Sequence, residues 1–303
     1  MILIADSGST KTTWMEVESG NMIVTEGLNP HFTSEEQFMA ACKQVTASPL
    51  PLSQGEGRLT QVVGKSPLLG RGAGVRPFSI HFYGAGCGLP AQRRKVAAWL
   101  TKAFGTSDIH VETDMLAACR ATAGDQPALV GILGTGSNAC LYDGQEIKRQ
   151  PTSTGYILGD FGSANHVGRV LLNDYLTHRM SGKLRRMFHD TYHMSDAQLM
   201  DAVYHQPNPN RFLASLAPFA VQHINEFYCY KVVGNTLVDY WLQTLVKLFK
   251  KANDPEIKIH IVGGYAKAIE DTLRWWMEDC GAVVGNVVAD PIEGLRQYHI
   301  KKI

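Results

Sequence analysis

Three groups of residues in this chain have the types and spacing to do chemistry. The first is Asp6-Ser7-Gly8-Ser9-Thr10-Lys11, a carboxylate followed at once by a glycine and a run of hydroxyls. Gly8 lets the backbone approach a ligand closely. The amides and hydroxyls of Gly8, Ser9, Thr10 and Lys11 can then converge on an anion such as phosphate. Asp6 is a hard oxygen donor placed to hold the Mg²⁺ that accompanies a nucleotide. The second group is Gly134-Thr135-Gly136-Ser137, another small, hydroxyl-bearing turn. The third is Asp114, where an apolar run ends and a helical pattern begins. An acid there suits chemistry at the end of a parallel strand, and it equally suits a plain helix cap.

The elements that must position these groups can be read around them. Ile2-Leu3-Ile4-Ala5 reads as a buried strand, the Gly8 turn follows, and Thr12 to Met15 reads as a second strand. Taken singly, a strand, an acid and a Gly-Ser turn describe a hairpin more often than a phosphate loop. The pattern occurs twice, however: Leu129 to Tyr142 repeats the strand, the turn and the strand. Ile4 to Ser9 is set alongside Leu133 to Ser137, shifted by the missing acid. Two such units suggest two related halves that clamp a nucleotide.

Between and after the turns, the chain alternates strands and helices. A third strand over Asn21 to Glu26 completes a meander, and a helix runs from Ser34 to about Thr46. Ser48 to Pro77 is rich in Gly, Pro, Ser and Arg without a period, and is expected to be a flexible insert. Strand Phe78 to Tyr83, helix Ala91 to Phe104, strand Ile109 to Glu112 and helix Met115 to Thr122 imply parallel strands with helices on their faces. Gln145 to Gln150 closes the second meander, and Gly155 to Ser163 is a glycine-punctuated loop. Helices are expected over 165–180, 196–204, 211–225 and 231–251. Strands are expected over 258–262 and 282–288, and a last helix over 291–298.

Composition bounds the function. At 303 residues the chain is long enough for two domains, and 45% hydrophobic with 19% charged residues describes a globular protein. A net charge of +1 gives no reason to expect nucleic acid or an anionic membrane as the main partner. No apolar run approaches a membrane span, and the N-terminus starts directly on a strand, leaving no room for a signal peptide. Cys42, Cys87, Cys119, Cys140, Cys229 and Cys280 lack CxxC spacing. They read as reduced, buried thiols of a cytoplasmic protein rather than a disulfide or zinc framework. His81, His166 and His260 read as structural.

In order along the chain stand ADSGSTKT (5–12), GLNPHF (27–32), FYGAGC (82–87), ETDMLAACRA (112–121) and GTGSN (134–138). GYILGDFGS (155–163), NRFLASLAPF (210–219), VGGYA (262–266) and PIEGL (291–295) follow. This ordered set resembles the N-acetylglucosamine kinase-like family. That family is grouped with the activator ATPases of benzoyl-CoA reductase and 2-hydroxyglutaryl-CoA dehydratase, in the actin, hexokinase and heat-shock chaperone ATPase superfamily. The resemblance covers nearly the whole chain apart from 48–77.

The resemblance implies an α/β fold of two ribonuclease H-like domains around a nucleotide cleft. Each would be a mixed sheet, an antiparallel meander plus parallel strands, with helices on both faces. It places an N-terminal domain over 1–123, with 291–303 packing back onto it, and a C-terminal domain over 124–290. It implies an ATP-dependent kinase of N-acetylglucosamine or a close relative such as N-acetylmuramic acid, using Mg²⁺, with a homodimer left open. Asp114 would take the proton from the sugar hydroxyl, and Asp6 would be the metal-side acid. Thr10 and Thr135 would hold nucleotide phosphates within their turns, and Gly263-Gly264 would form the adenosine turn. Asn29, Asn138 and Asp160 would bind sugar, with Gly155-Tyr156 lining the pocket. Two departures bear on the sugar and the nucleotide. Phe161 stands where relatives usually have Glu, and Gly264-Tyr265 where they commonly have Ser-Val. The alternatives are an activator ATPase, which would hold an iron–sulfur cluster, and a sugar sensor disabled by Phe161.

Overall fold

The apolar run that opens the chain forms β1 (Ile2–Ser7), the central strand of its sheet, with β2 (Lys11–Glu16) and β3 (Met22–Glu26) completing a meander on one side. On its other side β1 pairs in parallel with β4 (Ser79–Gly84), which pairs in parallel with β5 (Ile109–Thr113). The sheet order is β3-β2-β1-β4-β5. These assignments come from a computed structural model that describes residues 1–8, 10–47 and 78–303. Ser9 and the expected insert, Ser48 to Pro77, lie outside the described residues. The chain divides into two units, Met1–Ala121 with Pro291–Ile303, and Thr122–Asp290.

Side chains of successive strand residues point to opposite faces, so β1 serves two cores. Leu3 and Ala5 join Trp14, Ile80 and Phe82 against Phe38 of α1 (Glu35–Ala47) and Leu100 of α2 (Pro90–Phe104). Ile4, Met15 and Tyr83 face the other way, against Ala117 of α3 (Asp114–Thr122) and Ile292 and Leu295 of α14 (Ile292–Ile300). The last helix is therefore part of unit 1.

Unit 2 repeats the plan. Strands β6 (Pro127–Leu133), β7 (Ser137–Asp143) and β8 (Ile147–Arg149) form the meander, and β9 (Lys258–Val262) and β10 (Val283–Val288) add parallel strands. The order β10-β9-β6-β7-β8 is the first sheet's order read from its other edge. The expected fold class, two mixed sheets each built from a meander and parallel strands, is what the chain adopts. The two turns do not align as the sequence suggested. The last paired residues are Ser7 with Thr12 in one hairpin and Leu133 with Ser137 in the other, so Gly8 is the counterpart of Gly134.

The helices of unit 2 depart from expectation at four places. The segment 211–225 is two short helices, α8 (Pro209–Ala214) and α9 (Ala217–Gln222). Pro218 has no N–H to give the Ala214 carbonyl, and its ring crowds that carbonyl, so one helix cannot run through. The long helix expected over 231–251 begins earlier, as α10 (Phe227–Tyr240), and passes through a π turn, Trp241–Leu245, into α11 (Val246–Ala252). A helix missed altogether, α6 (Gly182–Tyr192), is capped by Ser181, whose Oγ accepts from Leu184 N–H, and buries only Leu184 and Phe188. The other helices are α4 (Gly155–Leu158), inside the expected loop, α5 (Ala164–Leu176), α7 (Asp196–Tyr204), α12 (Gly264–Ala268) and α13 (Glu270–Asp279). Cys280 is exposed, unlike the other five cysteines. Among the described residues no helix is long and apolar enough to cross a membrane.

Candidate active site

In unit 1 the three parallel strands end level. Ser7 pairs with Gly84, and Gly84 with Thr113, so Gly8, Ala85 and Asp114 come next along the carboxyl-terminal edge of the sheet. Open α/β sheets place their ligands at this edge. The first turn is held by Gly8 N–H to the Lys11 carbonyl (3.0 Å) and by Gly27 N–H to the Thr10 carbonyl (3.1 Å). Ser7, part of the first group but given no role of its own in the sequence, is a brace. Its buried hydroxyl shares a hydrogen bond with Thr12 Oγ1 (2.8 Å) and accepts from Leu28 N–H (3.1 Å), while its carbonyl accepts from Ala85 N–H (2.8 Å).

Asp6 is half-buried, in register with Tyr83 and Glu112. Among the described residues no group of three or more His, Cys, Asp or Glu could cage a metal. A single carboxylate beside the Gly8 turn would suit Mg²⁺, which keeps waters and takes its other ligands from substrate phosphates. Asn29 lies on the loop after β3, where its Oδ1 accepts from His31 N–H (3.0 Å). Gly86, at φ +84°, passes so close that any Cβ there would run into the Asn29 amide. The Asn29 loop and the β4–α2 turn thus touch.

Asp114 opens α3, but the cap is its neighbour. Thr113 Oγ1 accepts from Leu116 N–H (3.2 Å), the bond an N-cap makes. Asp114 Oδ1 accepts from Met115 N–H (2.9 Å). Burial raises its carboxyl above the ordinary carboxylate value, and the backbone amides of Met115 and Asp114 only partly offset this. Cys87 is pushed up to about 12, first by burial and then by the Asp114 charge, which puts the acid within electrostatic reach of the β4–α2 turn. Arg93 ties that turn to β5, giving Nε–H to the Cys87 carbonyl (2.8 Å) and pairing with Glu112 (3.1 Å).

In unit 2 the second turn rests on the start of α5. Ala164 and Asn165 N–H donate to the carbonyls of Gly134 (2.9 Å) and Thr135 (3.2 Å), and Asn165 Nδ2 donates again to Thr135 O (2.6 Å). With those carbonyls engaged, the N–H groups of Thr135 and Gly136 donate to no group among the described residues. Two neighbouring unspent amides are what a phosphate oxygen requires. Asn165, also missed in the sequence, is fully buried, and its Oδ1 has no partner among the described residues.

Asp160 was expected to bind sugar; in the structure its carboxylate also contacts the second turn. Its Oδ1 accepts from Ser137 N–H (3.1 Å) and its Oδ2 from Asn165 Nδ2 (3.2 Å). A Cβ on Gly136 would stand 2.8 Å from Asp160 Oδ2, so the glycine is what lets the carboxylate seat there. Burial raises this carboxyl too, against the Ser137, Asn165 and Arg169 interactions. Asp160 takes φ +53°, and the residues after it are pinned. His166 Nδ1 accepts from Gly162 N–H (3.1 Å), and its ring meets Phe161 edge-on at 5.9 Å. Burial, then Arg169, lower His166 to about 4, so it is neutral at pH 7.

Asn138 lies on β7 with its Oδ1 on Ala139 N–H (2.9 Å) and its carbonyl on the Tyr240 hydroxyl (2.9 Å). Gly155 and Tyr156 begin α4, whose carbonyls at Tyr156 and Ile157 accept from Arg169 Nη1 (3.1 and 3.2 Å). Gly263 N–H donates to the Val288 carbonyl (2.8 Å) at φ +141°, and a Cβ would run into the Leu133 carbonyl. That contact sets Gly263 directly beside the second turn, whereas Gly264 meets nothing within 4 Å. Tyr265 is buried in the unit 2 core, so its side chain serves packing there.

No family model and no curated protein matches the chain. Among solved structures it is similar to the "Putative N-acetylglucosamine Kinase" of Porphyromonas gingivalis, at 32% identity and TM-score 0.82 over 99% of each chain. It is also similar to the "Putative N-acetylglucosamine Kinase" from Chromobacterium violaceum, at 18% identity and TM-score 0.70 over 98% of each. A ROK family glucokinase from Streptomyces griseus, in complex with glucose and AMPPNP, matches at 12% identity and TM-score 0.51, covering 98% of this chain and 97% of its own. The last two likenesses are of fold.

Proposed function

The chain belongs to the N-acetylglucosamine kinase-like family of the actin/hexokinase ATPase superfamily, and from that premise we propose that it transfers the γ-phosphoryl group of ATP to a hydroxyl of an N-acetylated amino sugar. The observation that carries this reading is Asp114: an acid on the catalytic edge of a parallel sheet, relieved of capping by Thr113 and raised by burial. A carboxylate whose affinity for a proton is raised by burial is the better base for a sugar hydroxyl.

Phosphoryl transfer asks for positioning and charge neutralisation more than for covalent chemistry. Thr135 and Gly136 offer amides to phosphate, and in the first turn the Thr10 hydroxyl and the Lys11 ammonium supply donors of the same kind. Asp160, Asn165 and Ser137 keep the second turn in shape. Gly263 and Gly264 lie on the adenosine side. Asp6 would hold Mg²⁺, which supplies charge neutralisation on the phosphates. Asn29 in unit 1 and Asn138, Gly155 and Tyr156 in unit 2 are assigned to sugar binding, and Asp114 accepts the hydroxyl proton as the bond to phosphorus forms.

The activator reading needs thiols that can reach an interface, and Cys87 and Cys119 are each 0% exposed. The test is a coupled ADP-release assay with ATP and Mg²⁺ across N-acetylated and free amino sugars. Turnover that requires an N-acetylated sugar is expected. Sugar binding without ADP release would move the protein to the sensor reading, and ADP release indifferent to sugar would discard the kinase.

A further inference from the structure

Unit 2 carries a cavity of about 330 Å³ between the end of β8 and the helix that runs through the π turn into α11. Arg149, at the end of the strand, and Gln150 and Pro151 beyond it line one side, and Gln243, Thr244, Lys247, Leu248 and Lys251 line the other from the helix. None of them belongs to the two turns or to the sites around Asp114 and Asp160. Gln243, Lys247 and Lys251 follow at intervals of four, so they share one helix face. Gln243 and Thr244 come from the π turn itself, a wider turn that recurs at functional sites.

The charge on this lining is one-sided. It holds three cations and no carboxylate. Arg149, Lys247 and Lys251 make no ion pair among the described residues, although Lys148 next door is taken up by Asp143 (2.9 Å) and Glu146. Lys251 has an ordinary reason for its place, since it stands in the last turn of α11, where helix carbonyls favour a cation. Arg149 and Lys247, both exposed, add two further cations to the same lining. Like charges gathered at one concavity repel each other until an anion neutralises them. The two amides and the threonine hydroxyl add donors and acceptors for hydroxyls.

We propose that this cavity binds a small phosphorylated molecule. Arg149 and Lys247 hold its phosphate, and Gln150, Gln243 and Thr244 meet its hydroxyl-bearing part. Inorganic phosphate and a sugar phosphate share this chemistry, and the experiment separates them.

The full chain is titrated calorimetrically with inorganic phosphate and with N-acetylglucosamine 6-phosphate, in the presence of a non-hydrolysable ATP analogue and Mg²⁺. Arg149→Gln with Lys247→Gln should weaken binding by roughly tenfold or more at low ionic strength, and Lys247→Arg should restore most of a Lys247→Gln loss. A sugar phosphate that binds tighter than phosphate shows that the amides read the sugar, and equal affinities show a phosphate site. ADP release by the variants should match wild type. The titration needs no turnover, so its outcome is separate from that of the kinase assay. Affinity unchanged by the double substitution, or no binding to wild type at millimolar ligand, would overturn the proposal.

Discussion

Thr113 and Asp114 are neighbours with different tasks, and single substitutions should tell them apart. Thr113→Ala removes the cap of α3 and should cost about 1 kcal/mol of stability. Asp114→Asn keeps the shape and removes the base, so kcat should fall by at least ~10² while sugar binding persists. A carboxyl raised in the folded state contributes stability below its unfolded value, and that contribution is lost as pH rises through the folded value. At neutral pH Asp114→Asn should therefore melt at or above the wild-type temperature. In wild type, kcat/KM should rise with pH through a group titrating above the usual ~3.9, and the variant should lack that limb. A variant that keeps most of its turnover would remove Asp114 from catalysis. The paired glycines offer a second contrast. Gly264→Ala meets no protein atom within 4 Å, so melting should not move, while KM for ATP should rise if adenosine lies against it. Gly263→Ala, aimed at the Leu133 carbonyl, should lose stability and nucleotide binding together. An unchanged KM in Gly264→Ala would take the adenosine elsewhere.

At the scale of elements, α14 is held to its sheet by groups that titrate. His81 stacks on His110 at 4.5 Å between centroids and lies 4.3 Å from His299. Arg120 can only donate, so the Tyr83 oxygen accepts from it (2.8 Å) and gives its own proton to His299 Nε2 (2.9 Å). His299 must then be neutral. Burial first, and then His81, Arg120 and His110, lower it to about 3, and burial, His110 and Arg120 lower His81 to about 4. The unfolded chain binds these protons near pH 6.5 and the folded chain does not, so stability is full above that value and falls as pH drops towards 4. The slope should approach 1.4 kcal/mol per pH unit for each proton. Urea midpoints at pH 7 and pH 4.5 would measure it, and His299→Gln should flatten it. The same slope in both proteins would mean that other groups set the acid sensitivity.

For the whole molecule, the chain's end completes its beginning. Ile292 and Leu295 are 6% and 0% exposed against Ile4, Met15 and Tyr83, and Arg296 Nε donates to the Val17 carbonyl (2.8 Å). Burying each apolar side chain is worth about 1.5–3 kcal/mol, so ending the chain at Asp290 should cost unit 1 roughly 3–6 kcal/mol. That is comparable with the ~5–15 kcal/mol that holds a domain folded. Thr122–Asp290 is continuous in sequence and has its own core. Proteolysis of the truncated protein should therefore degrade 1–121 while a fragment near 122–290 survives. Equal resistance of both parts would show that α14 adds little.

What the amino-acid sequence determined by itself was whatever lies in short, contiguous patterns. Alternating apolar runs broken by Gly-Ser and Gly-Thr-Gly turns specified both meanders, because strand period and turn chemistry are local properties. The strand over 258–262 and the helix over 196–204 have the bounds the sequence indicated for the same reason. The acid at 114 was visible as the junction of two periods. What only the tertiary structure decided depends on partners distant along the chain. Asp160 reads as an available carboxylate until Ser137, 23 residues away, and Asn165 are seen to occupy it. Asn165 carries no motif, because its role lies in the Thr135 carbonyl it holds. The π turn at Trp241–Leu245 is silent in sequence, since one inserted residue shifts the apolar period without breaking it. The Tyr83–His299 bond spans 216 residues, and only folding could bring those two side chains together.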